Sequence, residues 1–339
     1  MSGAGGDALD LAFLGCGAAT RMHTRTLGRV ASDLRLHFAS RERERAEACR
    51  KRHGGAGAFG SYGEAIADPG IDAVLVATPP ASHLELTLAA LEAGKDVILE
   101  KPAFPRPHDF GPVREAAERT GRRVLVAENY YYKPLRERLA RILDDGLVGE
   151  PLFLQVNAVK RQEARGWRAD PALAGGGALL EGGIHWINLM ASLGPEVTGA
   201  SGFRAGAGAR GPGGADGSGP GERSVLVVLE YAGGAVGTLT YSWEVPSPFQ
   251  GLRVSRIWGT RGSVAFESNG VFVFVHGERT RLHLPRPWDI SGYRAMFTDF
   301  LDALRTGREP RMTLKMAERD VRLVHEAYRS FRDGSEGTG

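Results

Sequence analysis

Three groups of residues in this chain have types and spacings suited to chemistry. Lys101 stands in Glu100-Lys101-Pro102, directly after a short apolar run. His185 closes the segment Gly175-Gly176-Gly177-Ala178-Leu179-Leu180-Glu181-Gly182-Gly183-Ile184-His185. Gly15-Cys16-Gly17-Ala18-Ala19-Thr20 follows the apolar stretch Leu9 to Leu14. An imidazole titrates near neutrality and can carry a proton. A lysine ammonium can hydrogen-bond an oxygen on which negative charge develops. Glu181 lies four residues before His185, so on a regular helix the two share a face and the acid can orient the ring or join a proton relay. A glycine turn that opens a helix lets backbone N–H groups approach a pyrophosphate. Each group also has a plainer reading. A histidine on a helix is more often structural, a lysine at a strand end is usually solvated, and Glu181 with His185 makes a helix pair worth a few tenths of a kcal/mol.

The elements that must position these residues read as alternating strands and helices. Ala73 to Ala77 is short and β-branched, as a buried parallel strand is. Pro79 and Pro80 end it, Leu84, Leu88 and Leu91 recur at helical spacing, and Gly94 ends the helix. Asp96 to Leu99 is the next strand, and it delivers Glu100 and Lys101 at its carboxyl end. Such a βαβ connection is right-handed, and ligands of open α/β sheets bind at the carboxyl ends of the strands. Thr78, Pro79 and Lys101 are therefore expected on one rim. The second strand, Leu34 to Ala39, ends in Ser40-Arg41, with Arg45 on the helix that follows. NAD-selective sites usually carry an acid at this strand end. A hydroxyl followed by arginines suits a 2′-phosphate instead, so NADP is the expected preference, with NAD possible. Arg41 and Arg45 also read as a solvated helix face. The Gly54–Gly60 run reads as a loop.

A further strand, Val124 to Ala127, ends in Glu128-Asn129, and Tyr130, Tyr131 and Tyr132 follow. Three tyrosines suit an interface wall, and Tyr130 is the one expected to reach a ligand. After Pro151 the pattern changes to alternating strands with turns, from Leu152–Lys160 to Val271–His276, which predicts a mostly antiparallel sheet. Trp167-Arg168 reads as a packed corner or as part of a substrate pocket. The fold class is thus an α/β Rossmann domain with a parallel sheet over 9–130, then an α+β domain over 131–332. Residues 291–332 supply the closing helices of the second domain. Residues 1–8 read as a frayed tail. The span 205–222, rich in Gly, Pro and Ala, reads as a flexible insertion.

Composition narrows the classes. The 339 residues are 42% hydrophobic and 24% charged, enough for about two packed domains. A net charge of +3 without a basic stripe argues against nucleic acid. Cys16 and Cys49 form no disulfide framework and no metal spacing, so no metal is expected. No apolar run approaches ~18 residues, so no membrane span is expected. The first residues lack a basic n-region, and the expected setting is cytoplasmic.

In order, G-C-G-A-A-T with His23, T-P-x-x-S-H at Thr78–His83, E-K-P at Glu100–Pro102, E-N at Glu128-Asn129, W-R at Trp167-Arg168 and the glycine segment ending at His185 resemble the Gfo/Idh/MocA oxidoreductase family. The likeness runs from about Leu9 to Phe331. It implies a Rossmann domain followed by an open, mostly antiparallel sheet that joins copies into a homodimer or homotetramer. It also implies substrates such as sugars, polyols and their derivatives. The family's catalytic lysine falls on Lys101 and its histidine on His185. Its acid, usually aspartate, is Glu181, and a second aspartate is Asn188. The third dinucleotide position, usually Ala or Gly, is Thr20. Cofactor contacts are expected from Gly15, Gly17, Ala18, Ala19 and Thr20, from Ser40, Arg41 and Arg45, and from Thr78, Pro79, His83, Glu100, Lys101 and Asn129. Substrate contacts are expected from Tyr130, Trp167 and Arg168, and Tyr293 is a weaker candidate for approaching the cofactor.

Hydride transfer from an alcohol needs a base for the hydroxyl proton, a positive group for the alkoxide and a nicotinamide against the C–H. The expected function is an NAD(P)-dependent oxidoreductase acting on CH–OH groups of a sugar-like small molecule. Two alternatives stay open: a redox-neutral enzyme, eliminating or cleaving glycosides with retained cofactor, and a non-catalytic NAD(P)-binding protein.

Overall fold

The computed structural model describes residues 8–205, 221–247, 252–284 and 290–331. The expected tail, up to residue 7, and most of the expected insertion, 206–220, lie outside the described residues. The chain forms two compact units. The first runs through Phe104, resumes from His108 to Ala127 and adds Tyr293–Leu314. The second takes Pro105–Pro107, Glu128–Gly292 and the chain from Lys315 onward.

The first unit is built on a six-stranded parallel sheet of order β3-β2-β1-β4-β5-β6. Its strands are β1 (Leu9–Leu14), β2 (Leu34–Ala39), β3 (Gly57–Phe59), β4 (Ala73–Val76), β5 (Asp96–Leu99) and β6 (Val124–Val126). This is the order of a doubly wound dinucleotide-binding sheet. Every residue of β4, β5 and β6 is buried, as strands covered by helices on both faces require. Strand β3 corrects the expected loop: three residues, one of them glycine, carry too little pattern to be read, and pairing with β2 fixes them.

The helix Tyr293–Thr306 belongs to this first unit and not, as expected, with 131–332. Its buried Phe297 meets the His23 ring edge-on at 5.1 Å, and the Arg123 guanidinium donates to the Ala303 carbonyl at 2.6 Å. Arg305 pairs with Asp33 at 2.7 Å. These partners lie far away in sequence, so the helix's own periodicity could not assign it.

The second unit carries an eight-stranded sheet of order β14-β13-β12-β11-β7-β10-β9-β8. The strands are β7 (Pro151–Val159), β8 (Val197–Arg204), β9 (Ser224–Tyr231), β10 (Val236–Ser242), β11 (Val254–Gly259), β12 (Gly262–Glu267), β13 (Val273–His276) and β14 (Arg281–His283). Strand β7 runs parallel to β10, and the other described pairs are antiparallel. The edge strands β8 and β14 escaped the sequence pattern: one holds two glycines, the other has three residues. Leu154, Val156, Val227, Leu239 and Ile257 are buried, and the buried helix Ile184–Ala191 packs beside β7 and β10. Among the described residues no helix is long and apolar enough to cross a membrane.

Glu222 corrects the far end of the expected flexible span. It is buried, its carboxylate accepts the Leu179 N–H at 2.7 Å and the Tyr328 hydroxyl at 3.0 Å, and its carbonyl accepts the Ala178 N–H. Burial raises its pKa to about 7, against the Leu179 N–H, the Tyr328 hydroxyl and the Arg204 charge. A carboxyl whose pKa is raised on folding binds more protons in the native state. Its contribution to stability therefore declines as pH rises from the unfolded value near 4.5 through 7. Urea unfolding of Glu222→Gln should accordingly lack a pH-dependent loss on the order of 3 kcal/mol that wild type shows between pH 5 and 8. Parallel pH curves for the two proteins would show that Glu222 is not protonated in the fold.

Candidate active site

In the first unit the phosphate-binding turn is a product of close approach. Gly15 has φ +113°, and a Cβ there would lie 2.8 Å from the Ala77 carbonyl oxygen. Only glycine suits both conditions. The Thr20 hydroxyl, fully buried, donates to the Gly15 carbonyl at 2.7 Å, so Thr20 braces the turn from behind. Gly17 is the N-cap of the helix Ala18–Val30, no side chain caps it, and a Cβ on Gly17 would meet nothing within 4 Å. Open space over an uncapped helix start fits a dinucleotide pyrophosphate. Beside it, a cavity of about 490 Å³ is lined by Gly17, Ser40, Arg41 and Arg45, together with Arg21 and Arg52. Pro79 is the N-cap of the short turn Pro80–Ser82, and the Thr78 hydroxyl accepts from Ser82 at 2.8 Å.

At the end of β5, Glu100 pairs with the buried His23 and accepts the Lys101 N–H at 3.0 Å. Burial would raise the Glu100 pKa, but the His23 charge and hydrogen bond, with the Lys101 charge and N–H, bring it down to about 2. Glu100, expected to contact cofactor, thus holds the residue beside it. His83 is also reassigned. It is fully buried, with Nε2 3.0 Å from the Thr78 carbonyl oxygen and Nδ1 3.0 Å from those of Pro102 and Ala103. It staples the loop after β5 to the end of β4. Tyr293 packs edge-on against His23, ring centroids 5.7 Å apart.

In the second unit the histidine has a partner that the sequence pattern missed. His185 Nδ1 lies 2.6 Å from Oε1 of the buried Glu128. The same carboxylate accepts the Tyr130 N–H at 3.0 Å. A carboxylate on Nδ1 fixes the tautomer and leaves the Nε2 lone pair to take a proton. Tyr130 stacks on His185, centroids 4.4 Å apart and planes 14° from parallel. The sequence signal for Glu128 was present: an acid that follows the apolar run Val124 to Ala127.

Glu181 does not fill that role. Leu179–Gly183 is a π-helical turn, which runs into the helix Ile184–Ala191. The buried Glu181 accepts from Arg168 Nε at 2.6 Å, and the Arg168 guanidinium lies over Trp167 at 4.4 Å. Asn129, expected near cofactor, is buried with its amide donating to the Ser291 carbonyl at 2.7 Å. Asn188 donates to the buried Asp320 at 2.7 Å. Among the described residues no group of three or more His, Cys, Asp or Glu could hold a metal ion.

Two stretches of the chain match known families. Residues 9–128 match the oxidoreductase family with an NAD-binding Rossmann fold, and residues 137–265 match the GFO/IDH/MocA C-terminal domain. The chain belongs to the Gfo/Idh/MocA oxidoreductase family. Oxidoreductase P35 of Formosa agariphila is 33% identical over 135 residues, 38% of this chain and 42% of that protein. Levoglucosan dehydrogenase of Pseudarthrobacter phenanthrenivorans is 26% identical over 336 residues, 91% of this chain and 82% of that protein. A levoglucosan dehydrogenase structure with NADH and levoglucosan shares the fold, with a TM-score of 0.81 at 20% identity over 95% of this chain and 97% of that one.

In this Gfo/Idh/MocA oxidoreductase the Glu128–His185 pair makes a direct prediction. Glu128→Gln would offer the ring an amide in place of a carboxylate, and its tautomer and basicity would both be lost. kcat/KM should fall at least ~100-fold, by analogy with removal of an orienting acid from a catalytic histidine. Glu181→Gln should cost less. A loss below about tenfold in Glu128→Gln would remove Glu128 from the site.

Proposed function

We propose that the protein is a reversible NAD(P)-linked dehydrogenase or reductase acting on a hydroxyl of a sugar- or polyol-like substrate. The observation that carries this is His185 Nε2, which has no partner among the described residues while Nδ1 is held by Glu128. His185 takes the proton of the reacting hydroxyl and Glu128 stabilises the imidazolium that results; Lys101, which falls on the family's catalytic lysine, is the second group proposed to take part, as a positive charge. A bound nicotinamide supplies the hydride acceptor. Names of relatives such as levoglucosan dehydrogenase support a sugar substrate.

The test is stoichiometric. With an active sugar, NADPH and product should accumulate one to one, and Lys101→Ala should lower kcat at least ~100-fold while NADP affinity stays within about threefold. Product in large excess over NADPH, with cofactor co-purifying, would favour redox-neutral chemistry instead.

NADP is the proposed preference. Arg41 makes no hydrogen bond or ion pair among the described residues, and with Ser40, Arg21, Arg45 and Arg52 it lines one cavity. One charge-assisted pairing to a 2′-phosphate, at ~1.5–3 kcal/mol, corresponds to roughly tenfold or more in affinity. Titration of both cofactors into apo protein should show that margin, and Arg41→Ala should narrow it. Equal or tighter NAD binding overturns the preference.

An oligomer through the second sheet is also proposed. Phe153, Phe203, Leu226, Val254 and Phe274 are exposed on the strands of this sheet, an apolar face suited to a second copy. The cytoplasmic setting stays a proposal, resting on composition and the two free cysteines.

A further inference from the structure

Lys133 is a buried lysine that the chemistry above does not use. It is 5% exposed and stands directly before the helix Pro134–Asp144. Its Nζ lies 3.7 Å from the centroid of the Tyr130 ring and 5.7 Å from that of Trp186. Aromatic faces attract a cation but accept no conventional hydrogen bond. Among the described residues the ammonium has no hydrogen-bond or ion-pair partner, although it carries three donors.

The acids around it are otherwise engaged. Glu267 accepts backbone N–H groups of Arg253 and Asn269, and Glu128 is held by His185 and Tyr130. Arg253, itself 8% exposed, adds a second positive charge. Burial first, then Arg253, lowers the Lys133 pKa to about 8, against Glu267 and Glu128. Buried cations are normally paired.

Lys133 is also close to the proton-carrying ring. Tyr130 stacks on His185 at 4.4 Å, so the ammonium lies within about 8 Å of the imidazole centre, the sum of the two separations. A sugar acid places its carboxylate a few bonds from each ring hydroxyl, a span of that order.

We propose that Lys133 is the receptor for a carboxylate on the substrate, so that the preferred substrates are sugar acids and not neutral sugars. This rests on the dehydrogenase function proposed above and narrows its substrate class. A compact ammonium attracts a carboxylate as a point charge. A sugar phosphate in the panel below separates the carboxylate from a phosphate.

The experiment compares D-glucuronate and D-galacturonate with D-glucose, D-galactose and D-glucose 6-phosphate, using intact protein and NADP. The uronates should exceed their matching aldoses at least tenfold in kcat/KM. In Lys133→Met that ratio should fall to near one, chiefly through a higher KM for the uronate, and Lys133→Arg should restore part of it. Aldoses used as well as uronates, a uronate preference surviving in Lys133→Met, or a preference for the sugar phosphate would each overturn the proposal. The wild-type panel is decisive even where a variant fails to fold. If no sugar of any kind yields NADPH, the dehydrogenase function has failed separately. Glucuronate binding, followed through Trp186 fluorescence in wild type and Lys133→Met, then decides on the receptor: saturable binding lost in the variant supports it, and no binding or equal binding overturns it.

Discussion

The first unit depends on how closely two backbone turns pass where its strand order reverses. Gly15 leaves β1 with a positive φ, and its α-carbon faces the Ala77 carbonyl at a distance that excludes any side chain. That contact sets the start of the helix Ala18–Val30. Thr20, in its first turn, ties back to Gly15, and His23, one turn further on, meets Glu100 at the end of β5. Glu100 in turn receives the N–H of Lys101. A conformational requirement at one glycine is thereby transmitted through a chain of hydrogen bonds to the placement of the lysine backbone.

Both central acids end parallel strands and both pair with a histidine. Glu100 follows β5 and holds His23, and Glu128 follows β6 and holds His185. A carboxylate taken wholly or largely out of water is costly unless its lone pairs are used. Each here also accepts a nearby backbone N–H, from Lys101 and Tyr130 respectively. Satisfied in this way, such groups rigidify their surroundings and fix ring orientation. One pair braces the lysine from within the first unit. The other prepares an imidazole to receive a proton.

Much of this was legible in the sequence, because strands buried on both faces, a glycine turn and helical spacing are local patterns. Short apolar runs marked β1, β2, β4, β5 and β6, and the glycines marked the phosphate turn. Lys101 at a strand end and His185 after a glycine-rich segment were marked by type and position. What tertiary structure alone decided was pairing. Glu128 reaches His185 across 57 residues, and Glu181 accepts from Arg168. His83 and Asn129 turn inward to backbone carbonyls, and the helix Tyr293–Thr306 joins the unit holding His23. Local periodicity records which face of an element is apolar. It does not record which distant polar group will be buried opposite, because that choice is made by packing and by the cost of leaving a buried charge without a partner.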